Sequence, residues 1–290
     1  MRKWIIPIMT MIVALLCTIP LFSLYFHNST KETIIFFPIH PQATFKEAKT
    51  TLQLQPQKRK GKYSLLWSTS SSLDRTAYLR QDISLLFADG RLIDRLSKWE
   101  SNRKTLTQRK KVTTKDSRFF QTISFHYGEL HEGNAITSSQ TMTSDYLYVI
   151  DSPYHPLTSF RRATTEEEKE WQRILNKTTN GYLQHKAQSL LSHFSIQAQQ
   201  YYSLYLPDLI MYNEQPLPDL SMKKTQEIIG KLWEGMYKSY FLGIKKEDGS
   251  ILSPIGSTVP LILISKDYSH LIVLIETENG EKFQLIQKIT

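Results

Sequence analysis

The pattern of hydrophobic and polar positions distinguishes four stretches of the chain: one unbroken apolar run, then strand-like, helical and again strand-like stretches. Trp4 to Phe26 forms the first, with 23 residues and no charge. As a helix it would measure about 34 Å, which exceeds the roughly 30 Å hydrocarbon core of a bilayer. Later apolar runs such as "VPLILI" and "HLIVLI" have only the length of strands. The pattern therefore predicts one transmembrane helix at residues 4–26, after a cytoplasmic stub of residues 1–3.

The second stretch, residues 62–151, alternates with the two-residue period of β-strands. "AYLRQDISLLF" and "RLIDRLSKW" are predicted to form a hairpin around Asp89-Gly90. The first arm carries a separate polar face, as in a half-buried strand, formed by Arg80, Asp82 and Ser84. The polar "STSSS" at residues 68–72 is interpreted as a turn, with a catalytic serine as the weaker alternative because no G-x-S-x-G is present. The polar, basic residues 100–118 are interpreted as a loop.

The third stretch, residues 165–243, has a helical period. Thr165 and Glu168 form a capping box for a helix predicted to end near Lys177, before "TTNG". A second helix is predicted from about Tyr182 to Tyr205.

A third helix is predicted between Ser221 and Gly243, with one broad apolar face. It contains two glycines, Gly230 and Gly235, although glycine inside a helix costs roughly 1 kcal/mol relative to alanine. We therefore expect a close approach there, by the domain's own sheet or by a partner helix.

The fourth stretch, residues 244–290, predicts three short strands and a type I′ turn at residues 278–281. Strands, then helices, then strands indicate an α+β fold rather than a parallel βαβ fold. The predicted architecture is an N-terminal transmembrane helix followed by an extracytoplasmic domain at residues 62–290. Within that domain, antiparallel β-hairpins occupy 62–151, a central helical section 165–243 and a C-terminal β-meander 244–290. Residues 27–61 are interpreted as a juxtamembrane stalk.

The N-terminal run is interpreted as an uncleaved signal anchor. A cleaved signal peptide would have a shorter apolar core and a small-residue cleavage site, and a lipidated Cys17 would follow a small residue rather than Leu16. Arg2 and Lys3 on the short side place the N-terminus in the cytoplasm and the C-terminal domain outside the cell membrane. Cys17 is the only cysteine, so the outer domain has no disulfides, which favours a bacterial envelope of the Gram-positive type.

The net positive charge bears on what the outer domain contacts. The chain has 36 Lys and Arg against 27 Asp and Glu, and leaving out Arg2 and Lys3 gives about +7 outside the membrane. Two basic segments are interpreted either as solvated loops or as a contact with anionic lipid or wall polymer. Their residues are Lys58, Arg59, Lys60, Lys62, Arg109, Lys110 and Lys111. No nucleic-acid-binding motif accompanies them.

One short motif, "HYGELHEG" at residues 126–133, carries candidate chemistry. The candidate catalytic residues are His126, Glu129 and His131, with Glu132 beside them. An odd spacing puts the two histidines on opposite faces of a continuous strand, so convergence would need a turn or bulge at Gly128. The spacing matches no zinc motif, and the alternative is a polar hairpin end. No metal or cofactor is expected.

These features predict a non-enzymatic binding or regulatory protein of the bacterial envelope with an envelope protein as partner and no nucleic acid. The layout is similar to that of accessory proteins that adjust envelope sensors or assembly machines in some Gram-positive bacteria, a likeness of layout that carries over no residues. The alternative is an envelope hydrolase or transferase that acts on cell-wall polymer through the region of His126, Glu129 and His131.

Overall fold

The computed structural model describes residues 34–59, 61–246 and 248–289. The predicted stub and transmembrane helix lie outside these residues. Within the described part of the chain, no helix combines the length and apolar character needed to span a bilayer. The described fold is mostly antiparallel β-sheet with a few helices, which confirms the α+β prediction at that level.

The larger sheet has six strands in the order β1-β2-β4-β5-β6, with β3 on the other edge of β2. Its strands are β1 (Phe45–Arg59), β2 (Lys62–Ala88), β3 (Arg91–Thr114), β4 (Arg118–Glu132), β5 (Ala135–Ser152) and β6 (His155–Phe160). The β2–β3 hairpin turns at Asp89-Gly90, as predicted, and both residues have positive φ. The β4–β5 hairpin turns at Gly133-Asn134, directly after "HYGELHE".

The sheet bends strongly because β2 changes its neighbour along its length. Its first part pairs with β1, and its second part pairs with β4 from Leu79 onward. The register is irregular between Ser72 and Ala77, and on β3 the facing Asn102 has φ +52°. A bend at this point brings the two halves of the hairpin face to face. They enclose an apolar cluster that includes Trp67, Leu86, Phe120 and Val149.

Three sequence interpretations fail in this region. Residues 45–59 are strand β1 rather than stalk, residues 100–114 belong to strand β3 rather than a loop, and "STSSS" lies inside β2 rather than in a turn. The pattern misled because residues 101–114 of β3 pair only with β2, and most of their side chains are exposed. Burial therefore does not impose an apolar face on it.

The helical section contains two long helices. Helix α1 (Glu166–His193) begins at the predicted Thr165–Glu168 capping box. It runs on through "TTNG", which corrects the predicted break: Gly181 has open space around its Cα, and the buried Thr179 fits the helix. Residues 201–205 form strand β7 and not the end of a second helix. Helix α2 (Met222–Met236) starts at the predicted Ser221 cap and continues as a π-helical turn, Tyr237–Phe241.

A second antiparallel sheet has the order β12-β11-β10-β7. Its strands are β7 (Tyr201–Tyr205), β10 (Leu261–Ser265), β11 (His270–Glu276) and β12 (Lys282–Lys288), and β8 (Ile244–Lys245) pairs separately with β9 (Ile251–Leu252). The predicted meander is confirmed as β10–β12. Its last turn is not type I′, because only Gly280 has positive φ, whereas type I′ requires it at both central residues.

The main core lies between the larger sheet and helix α2 with the second sheet. Phe125 of β4 stacks on Trp233 of α2 with ring centroids 5.1 Å apart, and Ile264 and Val273 join the same cluster. Helix α1 covers the opposite face of the second sheet through Leu190.

Residues 34–40, which the sequence assigned to the stalk, complete this core. Ile34 is buried, and the Tyr127 hydroxyl donates to the Ile35 carbonyl at 2.6 Å. The Phe36 ring fills the notch at Gly230, where an added Cβ would lie 2.3 Å from a ring carbon. At Gly235 the side chain of Gln287 from β12 takes the space in the same way. The expected approach by the domain's own sheet is therefore confirmed at Gly235, whereas at Gly230 the nearest group comes from the segment that was assigned to the stalk.

Candidate functional site

A polar network is buried where the bent sheet folds over itself. Arg80 and Asp82 are 0 % and 1 % exposed, with Arg80 Nη2 3.5 Å from Asp82 Oδ1. The Ser71 hydroxyl joins them: it accepts from Arg80 Nη2 and donates to Asp82 Oδ2, each at 2.6 Å. Arg80 also donates to the carbonyls of Tyr127 and Lys104. Burial lowers the pKa of the Arg80 guanidinium from its ordinary value, and the Asp82 carboxylate opposes that shift.

The face that carries this network was expected to lie on a half-buried strand. It is covered instead by β1 and the first half of β2, because the hairpin folds back over it. Thr50 of β1 donates to Ser124 of β4 at 2.6 Å, and Ser124 donates to Ser84 of β2 at 2.6 Å. Short hydroxyl side chains thus carry hydrogen bonds between the two layers. Such groups remain inside because each has a partner.

His126 occupies the centre of this network. Its Nε2 lies 2.8 Å from Thr143 Oγ1, and its Nδ1 lies 2.9 Å from Asp82 Oδ2. The order acid, histidine, hydroxyl is that of a nucleophilic triad. Three features distinguish this arrangement from a catalytic triad. The His126 ring is 0 % exposed, and its Nδ1 makes no aligned hydrogen bond among the described residues. Thr143 is also hydrogen-bonded to Thr50. The arrangement holds the layers together and leaves no open position for a substrate at the imidazole.

The other residues of "HYGELHEG" lie elsewhere, because the strand is continuous through Gly128. Glu129 and His131 are on the opposite face from His126, where they pair with each other. The His131 ring stacks on Tyr78 at 3.9 Å. Glu132 is exposed and lies 3.2 Å from both His40 Nε2 and Arg75 Nη1.

Hydrogen bonding to His40, then to Arg75, lowers the pKa of the Glu132 carboxyl. Within the described residues, no group of three or more His, Cys, Asp or Glu is arranged to hold a metal ion. The structure therefore does not bring the three candidate catalytic side chains into one site.

A cleft of about 550 Å³ lies beside the network, along the edge of β5. Its walls come from residues 39–45, from β5 and from the start of helix α2. The lining residues are Ile39, His40, Pro41, Ala43, Thr44, Phe45, Ser139, Gln140, Thr141, Lys223 and Gln226. Phe45 separates the cleft from the network: its ring lies 4.8 Å from the Arg80 guanidinium carbon and 6.1 Å from the His126 ring. Sequence reasoning missed this site because one wall was assigned to the stalk.

The two basic segments lie on the β1–β2–β3 part of the sheet. Arg59 pairs with Lys62 across the first hairpin turn, and Lys60 lies outside the described residues. Arg109, Lys110 and Lys111 of β3 are exposed and pair with residues 66–68 of β2. Lys110 also pairs with Asp94 at 2.6 Å. Lys62 and the β3 segment therefore present positive charge to solvent.

Comparison with known proteins finds no matching family model, no matching curated protein and no matching solved structure. The residues and their geometry alone support the functional argument.

Proposed function

We propose that the protein is a membrane-tethered, extracytoplasmic binding or regulatory component of the bacterial envelope. The observation that carries the binding role is the cleft on the edge of β5. Its volume of about 550 Å³ falls within the range common for ligand sites, roughly 300 to 1,000 Å³. The cleft is open to solvent. Asp82 and His126, the two ionisable side chains arranged most like those of a catalytic triad, are buried. Binding therefore fits this geometry better than catalysis.

The proposed tether is the apolar run at residues 4–26, with the N-terminus in the cytoplasm. Seven residues, 27–33, separate it from Ile34, which is already buried in the described fold. The wall of the cleft follows at residues 39–45. In this proposal, few residues separate the anchor from the first wall of the cleft along the sequence.

The exposed basic residues of β3, together with Lys62, support a second contact of the same protein, with anionic lipid or wall polymer. Arg109, Lys110 and Lys111 present charge on one strand. Such a patch is attracted to a polyanionic surface and the attraction weakens with salt.

Topology and binding are tested by separate experiments in a bacterial host. Alkaline phosphatase fused to the C-terminus should be active and a green fluorescent protein fusion dark, because the C-terminus is proposed to lie outside. The opposite pattern would refute the topology. A photo-crosslinking residue at Thr141, in the cleft, should give a discrete adduct in the membrane fraction. The same residue at the exposed Thr105, outside the cleft lining, is the matched control. Equal labelling at both positions would contradict a binding role for the cleft.

A further inference from the structure

The cleft follows the edge of β5 at one residue, Gln140. Consecutive side chains of a strand point to opposite faces. Ser139, Gln140 and Thr141 all line the cleft, so the cleft must run along the edge of the strand rather than over one face. Ser138 and Met142 direct their backbone groups away from β4. Gln140 has the same parity, and the β4–β5 register has no shift. Its N–H and C=O therefore also point outward, and neither has a partner among the described residues.

The positions on both sides of Gln140 are already occupied. The Ser138 N–H donates to the Pro38 carbonyl at 2.9 Å, and its carbonyl accepts from the His40 N–H at 2.7 Å. The chain then turns away from the edge at Pro41. On the other side, the Asn213 side chain accepts from the Met142 N–H at 3.2 Å and donates to its carbonyl at 2.7 Å. One amide group with a donor and an acceptor is thus enough to satisfy one position of this edge.

These two caps leave a short slot. Residues 138 and 142 are about 13 Å apart along an extended strand. A strand of another protein cannot run past either cap along this edge, but a chain end fits between them. The last residue of a peptide offers the pair of groups that Asn213 offers to Met142: an N–H donor, and a carboxylate oxygen as acceptor.

The charge of the cleft suits such a ligand. Lys223 is exposed, lines the cleft and has no carboxylate partner among the described residues. Its neighbour Lys224 pairs with Glu227 at 3.2 Å and is not part of the lining. A carboxylate in the cleft would give Lys223 a charge-assisted hydrogen bond.

We infer that this cleft binds the C-terminal end of an extended peptide chain from a protein partner, with its terminal N–H and carboxylate paired to Gln140 and its charge met by Lys223. This inference rests on the proposed binding function and names its ligand chemistry. It uses the strand-edge mode of peptide recognition, in which backbone hydrogen bonds supply affinity.

The test uses the full-length chain in detergent micelles and a tetra-alanine peptide labelled with fluorescein at its N-terminus. Fluorescence anisotropy should show saturable binding of the peptide with a free C-terminus. The same peptide with an amidated C-terminus should bind about tenfold more weakly, because it loses the charge-assisted bond. Equal binding of the two peptides, or no binding at millimolar concentration, would overturn the inference.

Two sets of variants locate the binding. Gln140→Pro removes an N–H that makes no ladder bond to β4, together with the side-chain bond from Gln140 Nε2 to the Gln226 carbonyl at 2.6 Å. Ser144→Pro, at an exposed position of equal parity outside the cleft lining, controls for the proline, and Gln140→Ala, which keeps the N–H, controls for the side chain. Lys223→Gln has its control in Lys224→Gln. We expect each cleft variant to weaken binding of the free acid by about five- to tenfold and each control by less than about twofold. Wild-type affinity in Gln140→Pro would refute the site.

The two proposals fail separately. A discrete adduct at Thr141 without binding of the free-acid peptide would leave the binding function standing and overturn the chain-end ligand. If the C-terminal domain lies in the cytoplasm but the peptide still binds, the proposed envelope location is overturned and the chain-end ligand stands.

Discussion

Asp82→Asn should destabilise the protein far more than its small change in shape suggests. Arg80 and Asp82 are 0 % and 1 % exposed and lie 3.5 Å apart. At that distance, with an effective dielectric constant of 20, their attraction is about 5 kcal/mol. Asparagine removes the attraction but leaves the guanidinium buried. It also weakens the 2.6 Å bond that Asp82 receives from Ser71. We expect a loss of about 3 to 5 kcal/mol in the free energy of unfolding, as for other broken buried pairs.

The assay is unfolding of the full-length chain in detergent by guanidinium chloride. Tryptophan fluorescence monitors the transition, since Trp67 and Trp233 are fully buried. Asp94→Asn is the matched control. Asp94 pairs with Lys110 at 2.6 Å, but the Lys110 side chain is 43 % exposed, so the loss should stay below about 1 kcal/mol. Equal losses in the two variants would refute the argument from burial.

A double-mutant cycle tests whether Arg80 and Asp82 act as a pair. Arg80→Met leaves the carboxylate uncompensated, just as Asp82→Asn leaves the guanidinium. The double variant removes both charges, so its loss should fall short of the sum of the two single losses by at least about 1 kcal/mol. Simple additivity would show that the two residues stabilise the fold independently.

Three further outcomes follow from the structure. Gly230→Ala should lower the free energy of unfolding by about 1 to 3 kcal/mol, because the added Cβ would lie 2.3 Å from the Phe36 ring. Gly181→Ala, where the added Cβ meets open space, should raise it by up to about 1 kcal/mol in the same unfolding assay. Hydrogen bonds from Ser269 lower the pKa of Asp267 to about 2 in the folded protein. The stability that the ionised Asp267 contributes is therefore present above the pKa that this residue has in the unfolded chain, and it disappears as the pH falls toward 2. An Asp267→Asn variant should lack that part of the acid-induced loss, and an unchanged pH profile would contradict this. Replacing residues 109–111 by glutamine should reduce retention on an anionic polymer column more at low salt than at high salt; equal reduction at both salt concentrations would argue against a charge contact.

The elements predictable from sequence are those with a strong local signal. The Thr165–Glu168 capping box, the Asp89-Gly90 turn and the C-terminal meander were all correctly predicted, because each depends on neighbouring residues. Helix α2 was also predictable, since burial on one face produces its apolar stripe. Strands β1 and β3 were missed for the opposite reason. Their register is set by β2 over long distances, and much of their surface faces solvent.

The candidate site was less predictable than the fold. A strand with an apolar and a polar face indicates half burial only if nothing covers the polar face. Here the bend between Ser72 and Ala77 folds the same hairpin back over Arg80 and Asp82. No local pattern in the sequence reports that bend. The sequence motif correctly indicates that His126 takes part in a polar cluster, but it suggests the wrong partners. The contacts of His126 are Asp82 and Thr143, and not the glutamates that follow it.

The segment that follows the predicted membrane anchor links fold and site. Residues 34–40 were assigned to a stalk because they contain only one short apolar run, yet they fill the core at Ile34, fit the notch at Gly230 and pair with Ser138 on the edge of β5. The pairing with β5 ends at His40, and the cleft begins where the chain turns away at Pro41, beside the backbone groups that we infer to be free at Gln140. The close packing that stabilises this segment and the open edge proposed to bind a partner therefore have one cause. The chain pairs with β5 at one position and then turns away.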